Sequence, residues 1–309
     1  MIVPALLAAA GALAGFVALQ RRESAALAAA TGRRFRLGAG GVIEGAEEIR
    51  LEGTGERAVL LLHGFGDTPQ TLHYVAEALH ADGYTVHVPL LPGHGRTLAA
   101  FGATRAKQWI AAARDAYTAL TSVYGPTPVV GLSMGGALGI ILAAETPTMP
   151  ALALVAPYVS MPRRARIVAK LHHPWQLVRP WFRARGEASI VDETEKTRNL
   201  AYGAISPRLL FELSRLVRRV QVSLPRVRVP TLAIHGVHDN RVPPDAARRA
   251  FARLGAPGKR LVWREEGAHI LTVDRGRDEV IALVRDWLAS HPAPADRRGV
   301  AKANEAPRS

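Results

Sequence analysis

The sequence contains no cysteine among its 309 residues. This absence excludes disulfide bonds, thiolate nucleophiles and cysteine-ligated metal sites. No long internal repeat is visible either, which argues against a solenoid or repeat array. Apolar residues make up 48% of the chain and charged residues 21%. This composition is typical of a globular protein with one large core, with room for an inserted subdomain.

Charged side chains are also missing from residues 2–19. Eighteen residues of α-helix rise about 27 Å, close to the thickness of a hydrocarbon core. Arg21 and Arg22 follow, whereas no Lys or Arg precedes the stretch, the reverse of a secretory signal. We expect residues 1–20 to be an uncleaved, single-pass transmembrane helix, with all that follows on the cytoplasmic side. The alternatives are a cleaved signal, giving a secreted or periplasmic protein, and a peripheral segment.

Strand-like and helix-like patterns alternate after a linker expected at residues 21–32. Strands are predicted at Ala58–His63, Tyr84–Val88, Thr127–Val130, Ala151–Val155, Thr231–His235 and Lys259–Trp263. Helices are predicted at Thr71–Ala81, Thr104–Tyr124, Gly136–Ala144, Pro244–Leu254 and Arg277–Ala289. This alternation indicates an α/β fold with a mostly parallel sheet flanked by helices, built from residues 33–156 and 231–290. Residues 291–309 lack periodicity and are expected to be a disordered tail.

Residues 157–230 interrupt the alternation and read as a helical insertion, which we call the cap. Such an insertion, rich in aromatic residues, suggests a cover over a pocket. It contains 15 Lys and Arg against 5 Asp and Glu, a net +10 of the chain's +14. Contact with anionic membrane lipid is one explanation of this charge. Solvated, arginine-rich helix faces are another, and no recognised module suggests a nucleic-acid partner.

A Gly-x-Ser-x-Gly pentapeptide, residues 131–135, lies between the β-branched run Thr127–Val130 and the small-residue run Gly136–Ala144. In a turn from strand to helix, a serine is held at an exposed apex, and glycines accept the strained backbone and close packing. The following N–H lies at a helix N-terminus, where it can stabilise an oxyanion. Ser133 is therefore the candidate nucleophile.

A serine nucleophile needs a base, usually a histidine oriented by a buried carboxylate. Asp239 follows a predicted strand, on the edge where open α/β sheets place their sites. Asp245 is an alternative acid, although its place in the first turn of a helix suits capping better. His269 is the only histidine after the acid other than His291 of the tail. The order serine, acid, histidine is that of one large class of serine hydrolases.

An oxyanion hole requires a second backbone donor besides the one that follows the serine. The sequence His63-Gly-Phe-Gly66 ends a predicted strand, and its glycines permit an exposed N–H. We therefore expect the backbone N–H groups of Phe65 and Met134 to form the oxyanion hole.

Other histidines suit structural roles better than catalysis. His63 precedes the serine in the chain, and we expect it to order its loop, as His94 and His235 order theirs. His172 and His173 are adjacent but have no carboxylate or cysteine at ligand spacing, so we expect no metal site there.

Five motifs together resemble the α/β-hydrolase superfamily, most closely its bacterial carboxylesterase and monoacylglycerol-lipase-like branch. They are Leu60–Gly66, Pro89–Gly95, Gly131–Gly136, His238–Pro243 and Gly267–His269. The similarity covers residues 58–289 apart from the cap. It implies an α/β-hydrolase fold with Ser133 as nucleophile, Asp239 as acid and His269 as base, which agrees with the analysis of the residues themselves.

The expected activity is hydrolysis of lipophilic carboxylic esters, of short- to medium-chain acyl or monoacylglycerol type, through an acyl-enzyme and with no cofactor. Thioesters, lactones, amides and C–C bonds are alternative substrates on the same fold. Haloalkane dehalogenation is disfavoured because it needs a carboxylate where Ser133 stands. The alternatives that are not enzymes are a non-catalytic ligand-binding protein and a membrane scaffold.

Overall fold

The structure, a computed structural model, describes residues 2–184 and 189–293. Its strands are β1 Ile49–Leu51, β2 Ala58–Leu62, β3 Thr85–Val88, β4 Val129–Leu132, β5 Leu152–Val155, β6 Phe182–Arg183, β7 Ala204–Ile205, β8 Thr231–Gly236 and β9 Lys259–Arg264. Its α-helices are α1 Ile2–Arg34, α2 His73–Ala81, α3 Leu98–Ala103, α4 Ala106–Tyr124, α5 Met134–Glu145, α6 Arg163–Lys170, α7 His172–Val178, α8 Glu193–Arg198, α9 Pro207–Ser223, α10 Pro244–Arg253 and α11 Arg277–Ser290. The predicted tail falls largely at residues 294–309, outside the described residues.

Seven strands form one sheet in the order β1-β3-β2-β4-β5-β8-β9. All neighbours are parallel except β1, which pairs antiparallel with β3. The strand order reverses at β2, because the chain adds β3 on one side and then β4 on the other. Ligand sites of open α/β sheets lie at such a reversal, beyond the carboxyl ends of the strands. The segments that follow β2 and β4 therefore meet where a site is expected.

The apolar run of β2 is buried on both faces of the sheet. Leu60 and Leu62 join the core cluster that contains α4, α5 and most of the cap. Val59 and Leu61 join the cluster beneath α2 and α11. Successive side chains of a strand point to opposite faces, so a continuous apolar run is what a central, doubly covered strand requires. The predicted fold class is confirmed.

The cap contains helices α6 to α9 and the short antiparallel pair β6–β7. Its longest helix, α9, is capped by Ser206, whose Oγ accepts a hydrogen bond from the Leu209 N–H. Leu209, Leu213 and Leu216 are buried, at the spacing of one helix face. This helix packs against α5, the helix that follows Ser133. The longest cap helix therefore packs against the helix that begins directly after Ser133.

Helix α1 extends beyond the predicted membrane anchor and includes the residues that were expected to form a linker. Residues 21–32, expected to be a linker, continue the helix to Arg34. Ser24 and Thr31 are buried, and the Trp181 N–H donates to Ser24 Oγ at 2.7 Å. At the far end the Arg34 guanidinium donates to the carbonyl of Asn199 at 2.7 Å. The second half of α1 is therefore a packed part of the folded domain.

The first half of α1 is apolar and exposed. Its exposed large side chains are Val3, Leu6, Leu7, Leu13, Phe16 and Leu19. By length and composition the helix could cross a membrane, and a signal sequence near an N-terminus would pass the same test. The structure therefore supports a candidate membrane segment without showing which side of a membrane the domain occupies.

Candidate active site

Ser133 occupies a sharp turn between β4 and α5. Its backbone has φ 52° and ψ −111°, a left-handed conformation that is costly for a residue other than glycine. Tight packing holds the turn, because a Cβ on Gly135 would lie 1.8 Å from the carbonyl oxygen of Leu62. A glycine is therefore required there for α5 to approach β2. The pentapeptide motif is thus explained by backbone packing as well as by chemistry.

The imidazole of His269 lies between Ser133 and Asp239. Its Nε2 is 2.8 Å from Ser133 Oγ, and its Nδ1 is 2.8 Å from Asp239 Oδ2. Ser133 and Asp239 are 7% exposed and His269 is 5% exposed. With the proton assigned to Nδ1, that nitrogen donates to the carboxylate and Nε2 accepts from the serine hydroxyl. This is the geometry in which a histidine takes a proton from a nucleophile.

Hydrogen bonds hold Asp239 as an ionised carboxylate. Its Oδ1 accepts from the backbone N–H groups of Arg241 at 2.7 Å and Val242 at 2.9 Å. Burial raises the pKa of Asp239, but the charge and hydrogen bond of His269 and the Val242 N–H outweigh it, and the net pKa lies below its usual value. Asp245, the alternative acid, is exposed in the first turn of α10. Of the two, Asp239 is the acid that contacts the imidazole.

A second histidine supports the same carboxylate. His235 Nε2 lies 2.9 Å from the carbonyl oxygen of Val242 and 3.3 Å from Asp239 Oδ2. Burial lowers the pKa of His235, although the charge of Asp239 opposes the shift. A neutral His235 therefore orders the loop that carries the acid.

His63 and His94 order the loops beside the serine. The Leu91 N–H donates to His63 Nε2 at 3.1 Å, which leaves His63 Nδ1 to donate to the Gly64 carbonyl at 2.9 Å. Burial lowers the pKa of His63 to about 4. The rings of His63 and His94 pack edge to face. These contacts connect the loop after β2 to the loop after β3.

The loop His63–Gly66 passes directly beside Ser133. A Cβ on Gly64 would lie 3.6 Å from the Cβ of Ser133. The Phe65 ring packs against Phe101 and Trp109. The loop is therefore anchored by its aromatic side chain and has its backbone next to Ser133, where a second oxyanion donor is needed.

Asp67 is a buried carboxyl that the sequence analysis missed. It is 3% exposed, and its Oδ1 accepts from the Thr68 N–H at 2.9 Å. Its Oδ2 would lie 3.5 Å from a Cβ on Gly64. Burial raises the pKa of Asp67 to about 6, against the effect of the Thr68 N–H and the charge of His269. Its position immediately after the glycine loop was the available signal.

His172 and His173 make packing contacts within the cap. Their two rings pack at a tilt with centroids 4.1 Å apart, and His172 stacks on Phe211. Within the part of the chain that the structure describes, no cluster of three or more His, Cys, Asp or Glu residues has the geometry of a metal site.

Comparison with known proteins identifies the family. A family model described as serine aminopeptidase, S33, matches residues 54–276. The chain belongs to this α/β-hydrolase family.

Two curated α/β-hydrolase relatives extend this result. The chain is 30% identical over 250 residues to the thermostable monoacylglycerol lipase of Bacillus sp. (strain H-257), an alignment covering 81% of this chain and 97% of the relative. It is 25% identical over 235 residues to a carboxylesterase of Bacillus subtilis, covering 76% of this chain and 93% of the relative. These relatives confirm the prediction of a serine hydrolase of the carboxylic ester class.

A solved structure from work on the metagenome-derived lipolytic enzymes LipS and LipT is also similar. Its TM-score is 0.75 at 28% identity, and the match covers 81% of this chain and 100% of that structure. The match therefore supports the α/β-hydrolase fold over 81% of this chain.

Proposed function

We propose that this protein is a membrane-anchored esterase that cleaves lipophilic carboxylic esters. Ser133 is the nucleophile, His269 the general base and Asp239 the acid that orients it. The observation that carries this proposal is the continuous set of 2.8 Å contacts from Ser133 Oγ through the imidazole to Asp239 Oδ2. Such a set activates an otherwise weak nucleophile.

The reaction proceeds in two acyl-transfer steps. Ser133 Oγ attacks the ester carbonyl while Nε2 of His269 takes the hydroxyl proton. The oxyanion accepts hydrogen bonds from the backbone N–H groups of Phe65 and Met134, and Asp239 stabilises the imidazolium. His269 then protonates the departing alcohol, and water repeats the sequence on the acyl-enzyme. No cofactor takes part in any of these steps.

The substrate class is a short- to medium-chain ester or a monoacylglycerol. The similarity to a monoacylglycerol lipase and to a carboxylesterase supports this class. The cap also contributes aromatic surface, because Trp181 and Phe182 are partly buried against the larger core cluster. Apolar surface of this kind suits an acyl chain.

The first half of α1 spans the membrane once and leaves the domain on the cytoplasmic side. Support comes from its exposed apolar residues and from Arg21 and Arg22, which follow the apolar stretch. The basic cap contacts anionic lipid at the same surface. In helix α6, the exposed Ile167 lies among the exposed cations Arg163, Arg164 and Arg166, a mixture suited to a membrane interface.

A chain-length series of p-nitrophenyl esters and monoacylglycerols tests this proposal. The full chain in detergent micelles is compared with Ser133→Ala and with a variant that lacks residues 2–19. We expect kcat/KM to be highest for short to medium acyl chains, to vanish in Ser133→Ala, and to persist without residues 2–19. Esterase activity that survives in Ser133→Ala would overturn the proposal.

A further inference from the structure

The backbone of His269 is held by the cap. The N–H groups of His269 and Ile270 both donate to the carbonyl oxygen of Ser189, at 3.1 Å and 2.9 Å. Ser189 begins the segment 189–192, which leads into α8 of the cap. The catalytic histidine thus takes its backbone support from the cap, and no β-sheet ladder includes it.

One buried side chain joins the same two segments. Asp274, which is 0% exposed, lies five residues after His269. Its Oδ1 accepts from the N–H groups of Val191 at 2.8 Å and Asp192 at 2.9 Å. Its Oδ2 accepts from the N–H of Ala268, the residue before His269, at 2.8 Å.

A fourth N–H, that of Arg275, also donates to Asp274 Oδ1, at 2.9 Å. A buried carboxyl of this kind is retained only where its hydrogen bonds compensate for its desolvation. The turn around it is equally constrained, since Gly267 has φ 81° and a Cβ there would lie 3.3 Å from Asp274 Oδ2. The cap segment and the histidine loop therefore share one anchoring group.

The loop of the acid is connected to the same segment. Arg241 Nε donates to Ser189 Oγ at 2.8 Å, and the Arg241 backbone N–H donates to Asp239 Oδ1 at 2.7 Å. Ser189 thus contacts the base through its carbonyl and the acid loop through its hydroxyl.

We propose that Asp274 is a positioning residue, which ties the loop of His269 to cap segment 189–192 and so keeps the imidazole in line with Ser133 and Asp239. It acts through His269 and does not touch the substrate. The proposal rests on the proposed function, since it assigns a role relative to the same triad. A misplacement of about 1 Å in such a site lowers the rate about 10²-fold.

Asp274→Asn is the informative variant because it keeps the size of the side chain. An amide retains one acceptor oxygen, which can serve the three N–H groups at Oδ1, and places an NH₂ group against the Ala268 N–H. The substitution therefore removes only the hydrogen bond from the Ala268 N–H, which lies next to His269. Asp278→Asn is the matched control, since Asp278 lies exposed in the first turn of α11 and its replacement makes the same charge change.

The test compares the full-length variants by ester kinetics and by the rate of covalent labelling with a fluorophosphonate. We expect kcat and the labelling rate of Asp274→Asn to fall about 10²-fold, with a much smaller change in KM, and Asp278→Asn to match the wild type. The far-downfield proton resonance of the His269 Nδ1–H, shared with Asp239, should shift or broaden in Asp274→Asn alone. A purely structural role would lower thermal stability and leave this resonance and kcat of the folded fraction unchanged, which would overturn the proposal.

A second variant covers the case in which Asp274→Asn does not fold. Val191→Pro removes a single N–H donor to Asp274 and changes no atom of the histidine loop. We expect its labelling rate to fall roughly tenfold, and a wild-type rate would overturn the proposal. Absence of labelling in the wild type would instead count against the proposed function. Equal labelling of wild type and both variants would count against the role of Asp274 alone.

Discussion

Nδ1 of His269 lies 2.8 Å from Oδ2 of Asp239 although 30 residues separate them in the chain. The two residues follow neighbouring parallel strands, β8 and β9, whose carboxyl ends meet at one edge of the sheet. His269 then reaches Ser133, which follows β4. The fold therefore brings together three side chains that local sequence cannot connect.

Replacing the carboxylate of Asp239 by an amide should remove most of the activity. Asp239→Asn keeps the size of the side chain but loses the charge that stabilises the imidazolium and fixes its tautomer. We expect kcat to fall about 10⁴-fold. Asp245→Asn is the control, because Asp245 is exposed in the first turn of α10 and should leave kcat unchanged. If Asp245→Asn were the damaging substitution, the acid would be misassigned.

Gly135 should tolerate no side chain. A Cβ there would lie 1.8 Å from the Leu62 carbonyl oxygen, so Gly135→Ala must push α5 away from β2. We expect the free energy of unfolding to fall by about 3 kcal/mol, measured by urea denaturation. Gly32→Ala is the helical control, since nothing lies within 4 Å of its Cβ. Equal stability of the two variants would contradict the packing described here.

Asp67 should make stability depend on pH. Because burial raises its pKa from 3.8 to about 6, the folded state binds a proton that the unfolded state has already released. Its contribution is therefore most favourable below pH 4 and declines as the pH rises to about 6. A pKa shift of this size changes the free energy of unfolding by about 3 kcal/mol across this pH range.

Asp67→Asn removes this titration and retains an acceptor for the Thr68 N–H. The free energy of unfolding of the variant, relative to that of the wild type, should rise between pH 4 and pH 6. Above pH 6 the difference should stay constant. Urea denaturation of both proteins from pH 4 to pH 8 measures the difference. A difference that does not change with pH would contradict the assigned shift.

The second half of α1 should stabilise the domain, whereas the first half should not. Deleting residues 2–34 exposes the surface that Ser24 and Thr31 cover and removes the bond from Arg34 to the Asn199 carbonyl. We expect a loss of about 3 kcal/mol in the free energy of unfolding. Deleting residues 2–19 is the control and should leave it unchanged. Equal stability of the two truncated proteins would mean that residues 21–34 are only a tether.

The strands and helices that sequence patterns locate well are those with strong apolar signals. The doubly buried β2 and the small-residue helix α5 were predicted to within a residue or two. Strand β1 was missed because it is short, half exposed and interrupted by Arg50. Its place at the sheet edge depends on pairing with β3 rather than on its own side chains.

The contacts of His269 with Ser133 and Asp239 could be anticipated, because each residue lies in a local motif and their order along the chain is informative. The supporting residues were not. Asp274 and Ser189 act through contacts between segments about 80 residues apart, which no local pattern reveals. The helix α1 beyond residue 20 was misjudged for the same reason, since only its contacts with the cap distinguish it from a linker.

Labelling with a fluorophosphonate, followed by peptide mapping, tests the central claim most directly. The serine that His269 activates should form the covalent adduct, so the full-length protein should be labelled at Ser133 and nowhere else. Labelling should disappear in Ser133→Ala and fall sharply in His269→Ala. A folded wild-type protein that is not labelled, or one labelled at another serine, would contradict the account.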